Sequence, residues 1–207
     1  MKLILVRHGE TDANNRDLLQ GQMDCPLNER GRLQAVALAE GLKGETLDVV
    51  YCSDLKRSRE TAEIIARIHE RPVRIMKEAR ERNFGIFEGT SRAEFYTYER
   101  SLPDPYRHKP EKGESFAELY ERAHCLLKVV CRRHTGGIVL LISHGDFARM
   151  CLGVLTGKPV QEACQIRQSN SCINILNIHG DLQAEPLVLN QISHLPESLL
   201  SHNGSEL

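Results

Sequence analysis

Residues Leu3–Glu10 read LILVRHGE, and this stretch decides the fold that the sequence predicts. Its apolar half, Leu3–Val6, predicts a short strand that is buried on both faces. The strand ends in a cation, an imidazole and a glycine, and open α/β sheets bind ligands at the carboxyl ends of their strands. The same pattern recurs where the apolar run Ile138–Ile142 leads into SHG at residues 143–145. We therefore expect the two histidines to face one site.

The remainder of the chain alternates between short apolar runs and helical periods. Strands that alternate with helices predict an α/β fold whose mostly parallel sheet is covered on both faces. On the first long helix, the residues expected near the buried side are Leu33, Val36, Ala37 and Ala39–Leu42. Residues 77–113 break the alternation and are expected to form an insertion over the site. The expected helices span about residues 29–42, 55–70, 92–100, 115–135 and 147–155, and the further strands about 48–52, 72–76, 172–178 and 187–189.

Length and composition narrow the class of protein. The 207 residues suffice for one domain (1–207), with a flexible tail expected over about residues 196–207. The formal net charge of −1 gives no basic field that would indicate nucleic acid or an anionic membrane as a partner. No apolar run approaches the roughly 18 residues of a spanning helix. The seven cysteines include no C-x-x-C pair, so we interpret them as reduced thiols of a cytoplasmic protein rather than a disulfide framework or a zinc site.

Three polar clusters have residue types suited to catalysis. His8 directly follows a buried strand beside Arg7, and nearby cations favour the neutral, nucleophilic imidazole. The cluster Ser53–Thr61 places Arg57 and other cations at a helix N-terminus, where they oppose the helix dipole and suit an anion better than water. The cluster Glu78–Gly85 carries carboxylates that can donate a proton if their pKa is raised.

Together these clusters point to phosphoryl transfer through a phosphohistidine. This reaction requires positioning and charge stabilisation around the phosphoryl oxygens, which arginines and imidazoles can supply. We therefore expect neither a metal nor another cofactor.

At this point a family resemblance can be stated. The segment Arg7–Thr11 (RHGET) resembles the R-H-G-[ET]-[ST] signature of the histidine phosphatase superfamily, in its phosphoglycerate mutase-like branch. Further matches follow in the family's order, with Phe87 where Trp is common. They are Asn14, Gln20-Gly21, Asp24–Leu27, Gly31, Ser53–Ala62, Glu81–Gly89, Gly113–Ser115, Ser143–Gly145, Asn190 and His194-Leu195.

The resemblance implies a fold and a set of residue roles. The fold would be a three-layer α-β-α sandwich with a mixed, mostly parallel sheet and a small cap-like insertion over about residues 84–113. His8 would be phosphorylated, and Glu81 would protonate the leaving alcohol and then activate water. The phosphoryl oxygens would be held by Arg7, Arg57 and His144, and the substrate pocket would be lined by Asn14, Gln20, Gly21 and Gly145.

Several alternatives stay open at this stage. Within the family, the short stretch between Gly89 and Gly113 favours a phosphatase over phosphoglycerate mutase-type transfer. The substrate would be a small phosphorylated metabolite, such as a sugar phosphate, phosphoglycerate, phosphoserine or α-ribazole phosphate. A phosphate-binding protein without turnover would need the same residues. A metal-dependent hydrolase would use His8, Glu10, Asp12, His144 and Asp146, although no close His pair is present.

Two further features are left open by the sequence. The oligomeric state is not fixed, and a homodimer is compatible with the chain. Basic residues of the insertion could meet a second anionic group of the substrate. These residues are Arg92, Arg100, Arg107, His108 and Lys109.

Overall fold

The computed structural model describes residues 1–201, and a six-stranded sheet forms its centre. The strands are β1 (Lys2–Arg7), β2 (Val49–Cys52), β3 (Val73–Ile75), β4 (Ile138–Ser143), β5 (Ile173–His179) and β6 (Gln183–Gln191). Their order across the sheet is β3-β2-β4-β1-β5-β6. The first four strands pair in parallel, whereas β5 runs antiparallel to β1 and to β6. The prediction of a mixed, mostly parallel sheet is confirmed.

Helices cover both faces of this sheet. They are α1 (Asp12–Asn15), α2 (Glu29–Gly41), α3 (Lys56–His69), α4 (Arg92–Arg100), α5 (Phe116–Arg133), α6 (Gly145–Leu155) and α7 (Val160–Ala163). In β1, Leu3 and Leu5 pack in the apolar cluster that contains α5 and α6. The alternate residues Ile4 and Val6 pack in the cluster that contains α2 and α3. All four side chains are fully buried, so the three-layer α-β-α arrangement is confirmed.

The buried side of α2 differs from the expectation. Leu33 and Val36 are 51% and 47% exposed, so their assignment near the buried side is wrong. The buried stripe instead includes Gln34, whose Oε1 accepts the Glu10 amide at 2.8 Å. Because a buried polar group needs a hydrogen-bond partner, this contact turns the helix toward the loop after β1. A reading based on apolar residues alone could not detect it.

Residues 84–113, which we call the cap segment, interrupt the alternation of strands and helices. The segment contains a 3-10 helix (Gly85–Phe87) and α4. Phe84 and Phe95 form a small apolar cluster of their own with Leu19. The backbone of Leu19 also bonds to Thr90 and Gly89, at 2.9 and 2.8 Å. The cap segment is therefore anchored to the loop that follows β1.

The C-terminal segment makes contacts with the loop after β1 and with α2. The predicted flexible tail covers residues 196–207, of which residues 202–207 lie outside the described part. Before them, Glu197–Leu199 form a 3-10 helix. The Ser201 hydroxyl donates to Glu10 Oε2 at 2.7 Å, and Gln34 Nε2 donates to the Leu199 carbonyl at 2.8 Å. Residues 197–201 of the predicted flexible tail therefore contact α2 and the loop after β1.

Within residues 1–201, none of the helices combines the length and the apolar character that a membrane crossing requires.

Candidate active site

The parallel pairing of β1 with β4 brings the two predicted histidines together. Arg7 stands opposite Ser143 in the register of the two strands. The next residue of each strand end is a histidine, and the rings of His8 and His144 lie with their centroids 5.1 Å apart. The His8 amide continues the ladder by donating to the Ser143 carbonyl at 3.0 Å. The two imidazoles are therefore neighbours at the carboxyl ends of β1 and β4, and of the two only His8 lines the pocket.

His8 is held in the form that a nucleophile needs. Its Nδ1 lies 2.6 Å from the Gly9 carbonyl oxygen, so Nδ1 carries the proton and Nε2 keeps its lone pair. The side chain is buried, and this burial lowers its pKa well below the ordinary value. The charges of Arg57 and Arg7 lower the pKa further. The imidazole is therefore neutral near pH 7.

Arg57 connects the two imidazoles. Its Nε lies 3.2 Å from His8 Nε2 and 3.2 Å from His144 Nδ1. Its terminal nitrogens donate to the carbonyls of Met23 and Gly21, at 2.7 and 2.6 Å. The guanidinium is buried and its orientation is fixed by the loop after β1. It therefore presents one N–H group between the two rings.

His144 is anchored from the side opposite Arg57. Its Nε2 lies 2.7 Å from the Ser53 hydroxyl. Burial, followed by the charge of Arg57, lowers the pKa of His144 well below the ordinary value. Ser53 follows β2 and belongs to a segment that the resemblance quotes, but the sequence indicated it only as a candidate N-cap of the following helix, whose N-cap in the structure is Leu55. Its contact with His144 depends on the adjacency of β2 and β4.

Arg7 has a donor that none of the described residues satisfies. Its Nη1 donates to the Gln168 carbonyl at 2.6 Å, whereas its Nε is buried without a hydrogen-bond partner within residues 1–201. Burial lowers the pKa of Arg7 to about 10, with Arg92 contributing, so the side chain stays charged at neutral pH. A buried cationic N–H group without a partner is costly. An anion in the pocket would satisfy it.

Glu81 sits at the N-terminal end of α6. Its Oε1 accepts the amides of Arg82 and Phe147, at 2.9 and 3.1 Å, and its Oε2 accepts the Asp146 amide at 3.3 Å. Burial raises the pKa of Glu81, and the nearby Asp146 carboxylate raises it further. The amide donors oppose this shift without reversing it. A carboxyl with a raised pKa is suited to donate a proton near neutral pH.

The predicted residues converge on one small pocket of about 40 Å³. His144 is the exception, because it is fully buried and meets the pocket through Arg57 rather than by lining it. The lining also includes Phe84 and Arg149, to which the sequence analysis gave no role. It further includes Arg92, named there only as a possible contact for a second anionic group, and Asp146, named only in the metal-dependent alternative. The predicted residues that do line it are Arg7, His8, Asn14, Gln20, Gly21, Arg57, Glu81 and Gly145.

The loop after β1 is packed against α2 at the level of the backbone. A Cβ atom on Gly9 would clash with the Gly31 carbonyl oxygen. With any side chain at position 9, the loop and α2 could not approach each other so closely. From the other side, the Asn170 side chain donates to the His8 carbonyl at 3.2 Å, and the Ser171 amide donates to the Arg7 carbonyl at 3.1 Å. The residues around position 170 carry no sequence pattern that would have indicated this support.

The basic residues of the cap segment divide into two groups. Arg92 and Arg100 line a cavity next to the pocket. The other three lie elsewhere: Arg107 is 3.8 Å from Asp104, His108 Nδ1 contacts a backbone carbonyl, and Lys109 pairs with Glu118. Of the five basic residues that could meet a second anionic group of the substrate, only Arg92 and Arg100 line this cavity.

The side chains named as ligands in the metal-dependent alternative are not grouped as a metal site within residues 1–201. Among residues 1–201, no three His, Cys, Asp or Glu side chains are grouped so that they could hold a metal ion. The Glu10 carboxylate is engaged by Asn28 and Ser201. The Asp146 carboxylate is engaged by Arg149 at 3.0 Å.

Comparisons with known proteins identify relatives of this chain. A family model of the histidine phosphatase superfamily (branch 1) matches residues 3–190. The chain is 32% identical over 204 residues to phosphoserine phosphatase 1 of Hydrogenobacter thermophilus, covering 95% of each protein. It is 33% identical over 190 residues to the metal-independent phosphoserine phosphatase of Arabidopsis thaliana, covering 86% of this chain and 76% of the relative.

A solved structure shows the same fold. It is the phosphoserine phosphatase of Entamoeba histolytica in complex with 3-phosphoglyceric acid, with a TM-score of 0.84 and 27% sequence identity, covering 94% of this chain and 99% of that one. With the family match over most of its length, the chain belongs to the histidine phosphatase superfamily, branch 1.

Proposed function

We propose that this protein is a metal-independent phosphatase that hydrolyses small phosphorylated metabolites through a phosphohistidine at His8. The observation that carries the proposal is the state of the His8 ring: Nδ1 bonds to the Gly9 carbonyl at 2.6 Å, and Nε2 faces Arg57 in the pocket. The phosphatase relatives in bacteria and plants support the reaction class.

In the first step, the His8 Nε2 lone pair forms an N–P bond as the ester P–O bond breaks. Glu81 in its acid form gives its proton to the departing alkoxide, and its raised pKa supports this role. In the second step, water attacks phosphorus and gives a proton to the Glu81 carboxylate. The N–P bond breaks, which releases inorganic phosphate and neutral His8.

Cationic groups replace a metal in this proposal. The Nε of Arg7 is without a partner within residues 1–201, and the Nε of Arg57 points between the two imidazoles. Both are placed to donate to phosphoryl oxygens. The Ser53 hydroxyl can donate or accept, so it can hold His144 with the proton on Nδ1. That N–H and the Nε–H of Arg57 would then both be placed to donate to one phosphoryl oxygen.

Phosphate release from a panel of phosphorylated metabolites tests the proposal. We expect turnover of at least one sugar phosphate, phosphoglycerate or phosphoserine, with no loss of rate in excess EDTA. His8→Ala should be inactive, and Cys125→Ala, at an exposed position on α5, serves as the matched control with wild-type activity. Activity that EDTA abolishes and one divalent ion restores would overturn the metal-independent mechanism.

A further inference from the structure

A second cavity opens directly beside the phosphate pocket. It has a volume of about 330 Å³ and lies between the cap segment and α6. The two spaces share part of their walls, including Leu19, Phe84 and Arg92. Asp146 also lines both, and its amide bonds to the Glu81 carboxylate. The cavity is therefore placed to receive the part of a substrate that leaves with the oxygen that Glu81 protonates.

Aromatic rings form much of the cavity wall. The whole chain contains 5 Phe and 5 Tyr, and half of these ten residues line this one space. The rings are held in place by mutual packing, since Phe84 and Phe95 form a T-shaped pair with centroids 5.0 Å apart and the Tyr106 and Phe116 centroids are 6.3 Å apart. The five lining rings are Phe84, Phe95, Tyr96, Tyr106 and Phe116.

The buried charge in this wall is already neutralised. Arg82 is 1% exposed, pairs with Glu99 at 2.8 Å and donates from Nε to the Glu114 carbonyl at 3.0 Å. Its guanidinium carbon lies 3.7 Å from the centroid of the Phe116 ring. Because its charge is paired with Glu99 and its face lies against a ring, this arginine contributes a flat, polarisable surface to the wall. The aromatic part of the wall thus favours an apolar ring over a hydroxylated chain. On the side shared with the phosphate pocket the charges are paired, Arg92 with Asp17 and Arg149 with Asp146, each at 3.0 Å. The exposed Arg100 also lines the cavity.

We propose, on the basis of the proposed function, that the enzyme prefers phosphomonoesters whose leaving alcohol carries an aromatic ring. A pocket begins to accommodate drug-sized groups at about 300 Å³, and this cavity reaches that size. The three-carbon leaving groups of phosphoserine or phosphoglycerate would leave most of the aromatic wall uncovered. A ring would cover it and gain both apolar burial and ring-on-ring contact.

The test compares two esters that differ only in the ring. Propyl phosphate and 3-phenylpropyl phosphate both release a primary alcohol from a three-carbon chain, so their leaving groups are chemically matched. We expect kcat/KM to be about 10- to 100-fold higher for the phenylpropyl ester, as for burial of a Phe-sized side chain. Phosphoserine should behave like the propyl ester.

A double variant tests whether the cavity causes this preference. Tyr96→Ala/Tyr106→Ala removes two half-buried rings from the wall. The preference should fall by about 2- to 10-fold for each ring lost, and circular dichroism and thermal unfolding of the double variant show that it is folded. Tyr120→Ala is the matched control, because this half-buried tyrosine lies outside the cavity. It should keep the full preference.

The possible outcomes separate this inference from the function on which it rests. Equal kcat/KM for the two esters, with clear turnover of both, would overturn the inference and leave the phosphatase function standing. A preference that the double variant retains in full would also overturn it. No turnover of the two esters and of phosphoserine would overturn the function and the inference together.

Discussion

Replacement of Glu81 by Gln is the most informative change at the site. Gln has the same shape, and its carbonyl oxygen can keep the two shorter hydrogen bonds that Glu81 Oε1 accepts from Arg82 and Phe147. The amide group would replace Oε2, which has only a 3.3 Å contact with the Asp146 amide. The substitution therefore removes the proton while leaving the anchoring at the start of α6 nearly intact.

The size of the effect should depend on the leaving group. General acid catalysis contributes about 10²–10⁴-fold, and an alkoxide leaves poorly without a proton. The phosphorylation rate of Glu81→Gln with an alkyl phosphate should therefore be lower than that of wild type by about this factor. A nitrophenolate leaves adequately alone, so the loss with p-nitrophenyl phosphate should be distinctly smaller.

Single-turnover kinetics should be used, because they isolate the phosphorylation of His8 from its hydrolysis. Glu88→Gln is the matched control. The Glu88 carboxylate also accepts backbone amides, from Gln22 and Phe84 at 2.8 and 3.3 Å, but it does not line the phosphate pocket. Equal losses on both substrates in Glu81→Gln would refute the acid role and mean that Glu81 only positions its neighbours.

Three further predictions follow from the same contacts. The pKa of Glu81 is raised on folding, so wild type should lose stability relative to Glu81→Gln as pH rises above about 4.5. The loss should reach up to about 1.4 kcal/mol per pH unit and can be measured by urea unfolding at a series of pH values. The pKa of His8 is lowered on folding, so wild type should lose stability relative to His8→Asn as pH falls below about 6.5; a constant difference would contradict the burial of a neutral ring. Ser53→Ala removes the 2.7 Å contact to His144 and should lower the single-turnover phosphorylation rate about 10- to 100-fold, whereas an unchanged rate would show that this contact is not needed.

The strand-end histidines could be predicted from the sequence because their cause is local. A buried strand that stops just before His8 or His144 must present that side chain at the carboxyl end of the strand, whichever strands are its neighbours. The resemblance then gave roles to residues whose types are fixed by the chemistry, and eight of these nine predicted residues line the pocket.

The features that the sequence did not predict depend on tertiary contacts. Ser53 contacts His144 only because β2 and β4 are neighbours. Gln34 is buried because two segments distant in sequence need its amide. Arg82 looked like one charge among several, but the cap segment encloses it between aromatic rings. None of these contacts produces a periodicity or a residue spacing that can be recognised in the sequence.

The central claim is that the phosphoryl group passes through His8, and chemical trapping of the intermediate tests it most directly. Wild-type enzyme mixed with a ³²P-labelled substrate and quenched within milliseconds should carry label that is acid-labile and base-stable, as a phosphohistidine is. His8→Ala should carry none, while Cys125→Ala, exposed on α5, should match wild type. An unchanged amount of label in His8→Ala would contradict the account and move the nucleophile to another residue, of which His144 is the nearest imidazole.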